Sequence, residues 1–363
     1  MKLRSLNPVL KANFNAVPRS NHQYGFKNLS RADVCQQVLD HVNLPQKYPH
    51  SKGNLDIVDI FAGYGLLSTM INYELKPRNH IIIDDTRDNK LVWENRISFL
   101  EAETGNRENF KYFNLNGYAW ETYDTIIEKM KTISPSTQPR SQIHDELLIV
   151  GNLTSNKIGE SLFAQWLQCC ACGNWLQRYG RVRMLLLVRE QTSLKFLAGP
   201  YFMKRNRSAL KRDVYTDTKL VAITDAQVDS TALPGDSFDP NVLMKDQPLI
   251  LSSNAVSPQG GDLSIVEVVP RSDTDKLDVH AMDYLAQVLM YRSLNTVPEG
   301  LAAIAPGAAE DLAPRLPPDL LQKFARQLTR EDMIQIHDVY NNWAFKPSFE
   351  ETISFFAEDT RSF

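Results

Sequence analysis

From residue 56 to residue 269 short apolar runs alternate with longer amphipathic segments, and this alternation limits the fold more than any other feature. Strands are expected at 56–61, 80–84, 110–115, 146–152, 182–188, 219–224 and 263–269. Helices are expected between them at 66–75, 90–102, 123–130, 159–172 and 192–198. Repeated units of this kind bury apolar strands in a mainly parallel sheet covered by helices. The last two strands are separated by residues 226–261, rich in Pro, Gly, Ser and Asp, with no helix evident. The final strand is therefore expected to enter the sheet antiparallel after an irregular excursion. Before the first strand, Ser30-x-x-Asp33 has the form of a capping box with Leu29 as its staple. Beyond Pro270 the pattern is helical, at 280–292, 319–328 and 331–343, with 298–318 expected to be a poorly ordered Ala- and Pro-rich connection. The expected units are a basic arm (1–28), an α/β domain (29–271), a small helical domain (272–345) and a tail (346–363) mixing acids with phenylalanines.

Composition narrows the functional classes. No apolar stretch approaches the roughly 18–20 residues of a membrane span, so a soluble protein without a membrane partner is expected. The net charge of −3 gives no global nucleic-acid signal, so any such site must be a local patch. Four cysteines do not make a disulfide framework in a chain of 363 residues. Cys169, Cys170 and Cys172 lack a fourth ligand nearby and suit small apolar fillers better than zinc, so no metal is expected. His280 and His337 are isolated and expected to be structural, and no Ser-His-Asp or Cys-His arrangement stands out. Before Asp33 there is no acid, while Lys2, Arg4, Lys11, Arg19, Lys27 and Arg31 are basic. That suits a mitochondrial targeting segment, or else a basic arm that binds nucleic acid or stays solvated.

Four features follow successive strands. Asp59-Ile-Phe-Ala-Gly-Tyr-Gly65 leaves the first strand and opens a helix, where Gly63 and Gly65 let backbone approach a ligand. Asp84, or Asp85, stands where a ribose hydroxyl would be bound, Asn116 where adenine would be met, and Asn152-Leu-Thr-Ser155 ends the fourth strand. Each is weak alone. In order at four strand ends they indicate an α/β fold with a seven-stranded, Rossmann-like sheet of the adenosylmethionine-dependent methyltransferase type, followed by a small C-terminal helical domain.

The chain resembles the rRNA adenine dimethyltransferase family, and within it the fungal mitochondrial transcription factor B branch. The residues that carry the resemblance are Tyr24-Gly-Phe-Lys27, the Asp59–Gly65 turn, Tyr118-Ala-Trp120, Gln165-Trp-Leu167, Asn174-Trp-Leu-Gln-Arg178 and Gly180-Arg-Val-Arg-Met-Leu-Leu186. Thr216-Asp-Thr-Lys-Leu-Val-Ala-Ile-Thr-Asp225, Leu294-Asn-Thr-Val297 and Trp343-Ala-Phe-Lys-Pro347 extend it almost to the end. Three positions depart from the enzyme pattern. Phe61 and Ala62 stand where the family's turn begins with glycine, so the Phe61 ring is expected to crowd a cofactor's methionine arm. Thr154 and Ser155 replace the Pro and aromatic that follow Asn-Leu, removing the ring that stacks on a flipped adenine. Asn116 replaces an acid. Asn152 suits equally a substrate contact and a plain strand-end cap. No catalytic residue and no required cofactor are expected; Asp59, Phe61, Gly63, Gly65, Asp84, Asn116 and Asn152 would line a vestigial S-adenosyl-L-methionine pocket.

Nucleic acid could instead be met by two basic stretches, Arg178, Arg181 and Arg183, then Lys195, Lys204, Arg205, Arg207, Lys211 and Arg212, the second on an expected loop at 199–213. A basic rim binds phosphates without sequence preference, although an isolated basic run also suits a solvated surface. Tyr118 and Trp120, just past the third strand, could stack on unpaired bases or pack as core. The resemblance implies a monomeric initiation factor of the mitochondrial matrix nucleoid. Its implied partners are the mitochondrial single-subunit RNA polymerase and both strands of promoter DNA, which it would help to melt, with the C-terminal tail toward the template. The alternative is an active N6-dimethyltransferase of the mitochondrial small-subunit rRNA.

Overall fold

A computed structural model describes residues 3–16, 25–225, 237–258 and 260–352. All seven expected strands are present: β2 (Asp56–Ile60), β3 (Asn79–Ile83), β4 (Phe110–Phe113), β5 (Ile143–Leu153), β6 (Arg181–Val188), β7 (Thr216–Thr224) and β10 (Ser264–Pro270). An eighth, β8 (Leu249–Leu251), joins at one edge, so the sheet has eight strands where seven were expected. A separate pair, β1 (Asn28–Leu29) and β9 (Val256–Ser257), runs antiparallel beside it. The sheet order is β4-β3-β2-β5-β6-β10-β7-β8. Strand β10 is antiparallel to both neighbours, β6 and β7, as its irregular approach predicted. Residues 226–236 of that approach lie outside the described residues; in the part that is described Asp239 caps a helix at Pro240–Asp246, where none was expected, and this leads into β8.

Helices cover both faces of the sheet, and the core divides accordingly. One layer gathers Val58, Ile60, Ile149 and Met184 with Phe163 and Trp166 of the helix Gly159–Cys172. The other gathers Ile57, Leu148 and Leu185 with Val38 and Leu39 of the helix Ala32–Val42. That helix has Arg31 as its N-cap, without a side-chain bond, and the Ser30 hydroxyl donates instead to the Ala255 carbonyl. The expected capping box therefore does not form; tertiary contact takes the hydroxyl first.

Residues 3–16 are docked on the α/β domain. Leu10, in the short helix Leu10–Ala16, is wholly buried beside Ile82, Trp93 and Phe110. Gln36 accepts from the Ser5 amide, and Arg4 pairs with Asp40 and Glu74. At the other end, Val279–Tyr291 and Arg330–Asn341, capped by Asp278 and Thr329, build a helical unit. The expected connection at 298–318 is in fact packed: short helices at Val297–Leu301 and Ala308–Leu312 bury Leu301, Ile304 and Leu312. The helix expected at 319–328 reduces to Pro318–Leu321 and a single turn at Ala325–Gln327. The unit packs on Ala171, Leu210, Val214 and Tyr215 of the α/β domain. Among the described residues no helix is long and apolar enough to cross a membrane, and no group of acids, histidines and cysteines could hold a metal ion. Cys169 and Cys170 are buried fillers, as expected, but Cys172 is exposed. The tail from residue 353 onward lies outside the described residues.

Candidate functional site

The carboxyl ends of β2, β3 and β5 bring together the residues that sequence assigned to a cofactor pocket. At the end of β2, Phe61 (φ 58°), Gly63 (φ 59°) and Gly65 (φ 73°) all hold left-handed backbone, and Gly65 then caps the helix Leu66–Leu75. This conformation costs a side-chain-bearing residue about 1–2 kcal/mol, so Phe61 is strained where a glycine would not be. Its ring is buried, tilted against Phe26 at 5.3 Å, and lies against Gly117. The side chain standing over Gly63 is a different one, Asn28: a Cβ added to Gly63 would collide with the Asn28 amide. A Cβ on Gly65 would collide with Trp93 and Arg96. The close approach that the two glycines permit is thus taken up by the chain itself. Trp93 Nε1 donates to the Gly63 carbonyl at 2.9 Å, which fixes the turn from outside.

The polar residues are engaged in the same inward way. Asp59 is buried and bonded to His80 at 3.2 Å. Asp84 accepts from the backbone amides of Thr86 (2.9 Å) and Gly63 (3.2 Å) and from Asn89 Nδ2 (2.8 Å). Burial pushes its carboxyl above the usual range, and these three donors oppose that shift. Asn116 is exposed and closes its own turn, accepting from the Tyr118 amide at 2.8 Å. Asn152 donates to the Lys27 carbonyl (2.9 Å) and Asn28 Oδ1 (3.0 Å) and accepts from the amide and hydroxyl of Thr154. The Thr154 hydroxyl also accepts from the Lys27 amide at 2.7 Å. Thr154 therefore ties the N-terminal strand to the strand end. Arg189 adds a clamp: its guanidinium bonds Thr154 O, Gly25 O and Asp262. The cleft left among Asp59, Gly65, Asn152 and their neighbours measures about 30 Å³, room for one or two waters.

Beyond Gly117 the surface is different. Tyr118 and Trp120 are 42% and 40% exposed, so neither ring is core. Their backbone is held from below. Thr122 Oγ1 donates to Asn116 O, Tyr123 OH donates to Gly117 O, and Trp120 opens the helix Trp120–Asp124. Two rings on a fixed turn are pre-ordered for stacking.

The basic stretches do not form the expected rim. Asn206 caps a helix at Arg207–Tyr215, so residues 199–213 are only partly loop. Arg183 is buried in β6 against Glu267. Arg205 and Arg212 are buried and share Asp213, with Arg205 also donating to Leu328 O at 2.9 Å. Arg207 bonds Gln287, and Lys211 pairs with Asp283 at 3.0 Å. Arg181 donates to Pro270 O at 2.7 Å. Arg205, Arg207 and Lys211 join the α/β domain to the helical unit, with Arg207 still exposed, while Arg181, Arg183 and Arg212 bond within the α/β domain. Arg178 and Lys195 are exposed, each in ion pairs with surface acids, and Lys204 is half-buried. Sequence reasoning missed Asn28, Trp93, Arg96 and Arg189; the one available signal was that Gly63 and Gly65 imply some close neighbour.

Comparisons with known proteins bear on the family and the fold. The sequence model for "Ribosomal RNA adenine dimethylase" matches residues 17–341. The chain is 30% identical over 348 residues to a Lachancea kluyveri protein named Mitochondrial transcription factor 1, covering 95% of this chain and 97% of that one. It is 31% identical over 329 residues to the protein of the same name from Saccharomyces cerevisiae, covering 89% and 90%. Among solved structures it is similar in fold to a dimethyladenosine transferase from Plasmodium falciparum, with TM-score 0.56 and 13% identity over 86% of this chain and 97% of that one.

Proposed function

We propose, from the premise that the chain belongs to the ribosomal RNA adenine dimethylase family, that it is a mitochondrial transcription initiation factor working by binding and without methyl transfer. Its partners are a mitochondrial single-subunit RNA polymerase and promoter DNA, and its compartment is the mitochondrial matrix. The observation that carries this reading is the contrast at one end of the sheet. Asn28 stands over Gly63 and leaves a cleft of only about 30 Å³, with Trp93 and Arg96 packed against Gly65, while Tyr118 and Trp120 stand exposed on a braced turn.

The described residues do not fit S-adenosyl-L-methionine. The acceptor expected for its ribose, Asp84, already holds three donors, and both ends of the Asn152 amide are in use. A ligand would have to displace Asn28 to reach Gly63, and break the Asn152–Lys27 link to reach the Asn152 amide. Stacking a base on an exposed aromatic contributes roughly 1–3 kcal/mol. Unstacking a base step costs a few kcal/mol, so two rings can shift an opening equilibrium that the polymerase leaves near balance. Tyr118 and Trp120 trap bases of the separated strand. Arg178, Lys195 and Lys204 offer the surface charge for phosphates, whereas Arg183, Arg205 and Arg212 support the scaffold. The test is runoff transcription with the polymerase on linear and on pre-melted promoter. The factor is expected to be required on the first and dispensable on the second; equal dependence on both would overturn the reading.

The retained strand-end Asn152 favours a second reading, an active dimethyltransferase of the mitochondrial small-subunit rRNA. Calorimetry with S-adenosyl-L-methionine separates the two. Tight binding together with methylation of that rRNA would establish the enzyme.

A further inference from the structure

Beside that small cleft lies a second, roomier pocket of about 190 Å³, between the N-terminal helix, β1 and the Gly63–Gly65 turn. Its walls are apolar at Leu6, Phe14, Leu29 and Leu66, and two cations line it, Lys11 and Arg96. Arg96 is wholly buried. Its guanidinium meets only neutral oxygens, donating from Nε to Asn13 Oδ1 at 3.3 Å and from Nη1 to the Tyr64 carbonyl at 2.6 Å. It is also held against two rings, Phe14 at 4.6 Å and Trp93 at 4.7 Å. No ion pair reaches it among the described residues, and burial alone lowers its pKa, to about 9, so it stays cationic at neutral pH. The other buried arginines described above, Arg183, Arg205 and Arg212, each face a carboxylate. A buried charge without a counter-charge is costly, and an anion supplied from outside offsets that cost.

We infer that this pocket binds a small organic oxyanion, a phosphate or carboxylate head carried on a flat or aliphatic body, with the head on Arg96 and Lys11 and the body against Phe14, Leu29 and Leu66. With Nε and Nη1 engaged by Asn13 and Tyr64, Nη2 of Arg96 donates to one oxygen of the head and Lys11 to another. A cavity of this size takes a body of about one ring. The site is independent of the stacking edge, so it stands whether or not Tyr118 and Trp120 bind DNA.

Phenyl phosphate titrated into the full chain by calorimetry tests the inference, with benzyl alcohol as the uncharged control. Saturable binding of phenyl phosphate is expected, with the alcohol about tenfold weaker or more. Lys11→Ala should weaken it several-fold and Leu6→Trp, which fills the pocket from its outer wall, should abolish it; Arg96→Gln should do the same if that variant folds. Competition by a single-stranded oligonucleotide identifies the source of the head: displacement assigns it to a nucleic-acid phosphate, retention to a free small molecule. Absence of saturable binding, equal binding of the alcohol, or full binding by Leu6→Trp would overturn the site.

Discussion

The turn at Gly63–Gly65 and the turn at Asn116–Trp120 leave neighbouring parts of one sheet edge, yet they face opposite ways. The first is turned inward: its glycines accommodate Asn28, Trp93 and Arg96, and its acid is saturated by the chain's own amides. The second is turned outward, with its polar atoms spent on bracing the backbone and its two rings left to solvent. A glycine-rich turn at a strand end is thus no evidence of a ligand by itself. What decides is whether another part of the chain has claimed the space.

The contrast can be broken by substitution, and stability should respond at the inward turn while promoter opening responds at the outward one. Gly65→Ala should have the largest effect. It combines left-handed strain of about 1–2 kcal/mol with overpacking of about 1–3 kcal/mol against Trp93, so a drop of about 2–5 kcal/mol is expected in chemical denaturation. Asn152→Ala removes a buried amide: Lys27 O and Asn28 Oδ1 each lose one donor, and the Thr154 amide and hydroxyl lose their shared acceptor. A loss of about 3 kcal/mol is expected in the same measurement, and a change within about 0.5 kcal/mol would mean that the N-terminal strand is not held there. Tyr118→Ala should leave denaturation within about 0.5 kcal/mol of the parent, yet weaken opening by about 2 kcal/mol, some thirtyfold, when 2-aminopurine fluorescence is followed near the start site with polymerase present. Unchanged opening would leave the exposed rings without a role in melting. Arg178→Ala comes last. Its pairs with Asp124 and Glu128 are exposed, so less than about 1 kcal/mol of stability is at stake, and a larger loss would show that it belongs to the scaffold.

Periodicity made the main sheet legible: all seven expected strands exist, and the antiparallel entry of β10 followed from the composition before it. The edge strand β8 was missed because three residues carry no period. The short helices between residues 297 and 321 were missed because Ala and Pro suggest disorder unless the buried partners of Leu301 and Leu312 are known. The motif residues at the strand ends were legible as types and in order. Their partners were not, since Asn152 meets Lys27 and Asn28 from far along the chain. The basic stretches show the same limit. Arg205 and Lys211 look like a phosphate-binding run until Asp213 and Asp283 are seen beside them. Charge composition counts cations, whereas availability depends on contacts that only the tertiary fold brings about.

The pairing of Asn28 with Ser257, and of Leu29 with Val256, has a consequence for how the molecule is made. The first partner leaves the ribosome long before the second, and contacts so distant in sequence form late. The Asn152 and Thr154 contacts can take hold of Lys27 and Asn28 once residue 154 has emerged, whereas the β1–β9 pairing must wait about a hundred residues longer, so a chain truncated before residue 256 would be latched from one side alone.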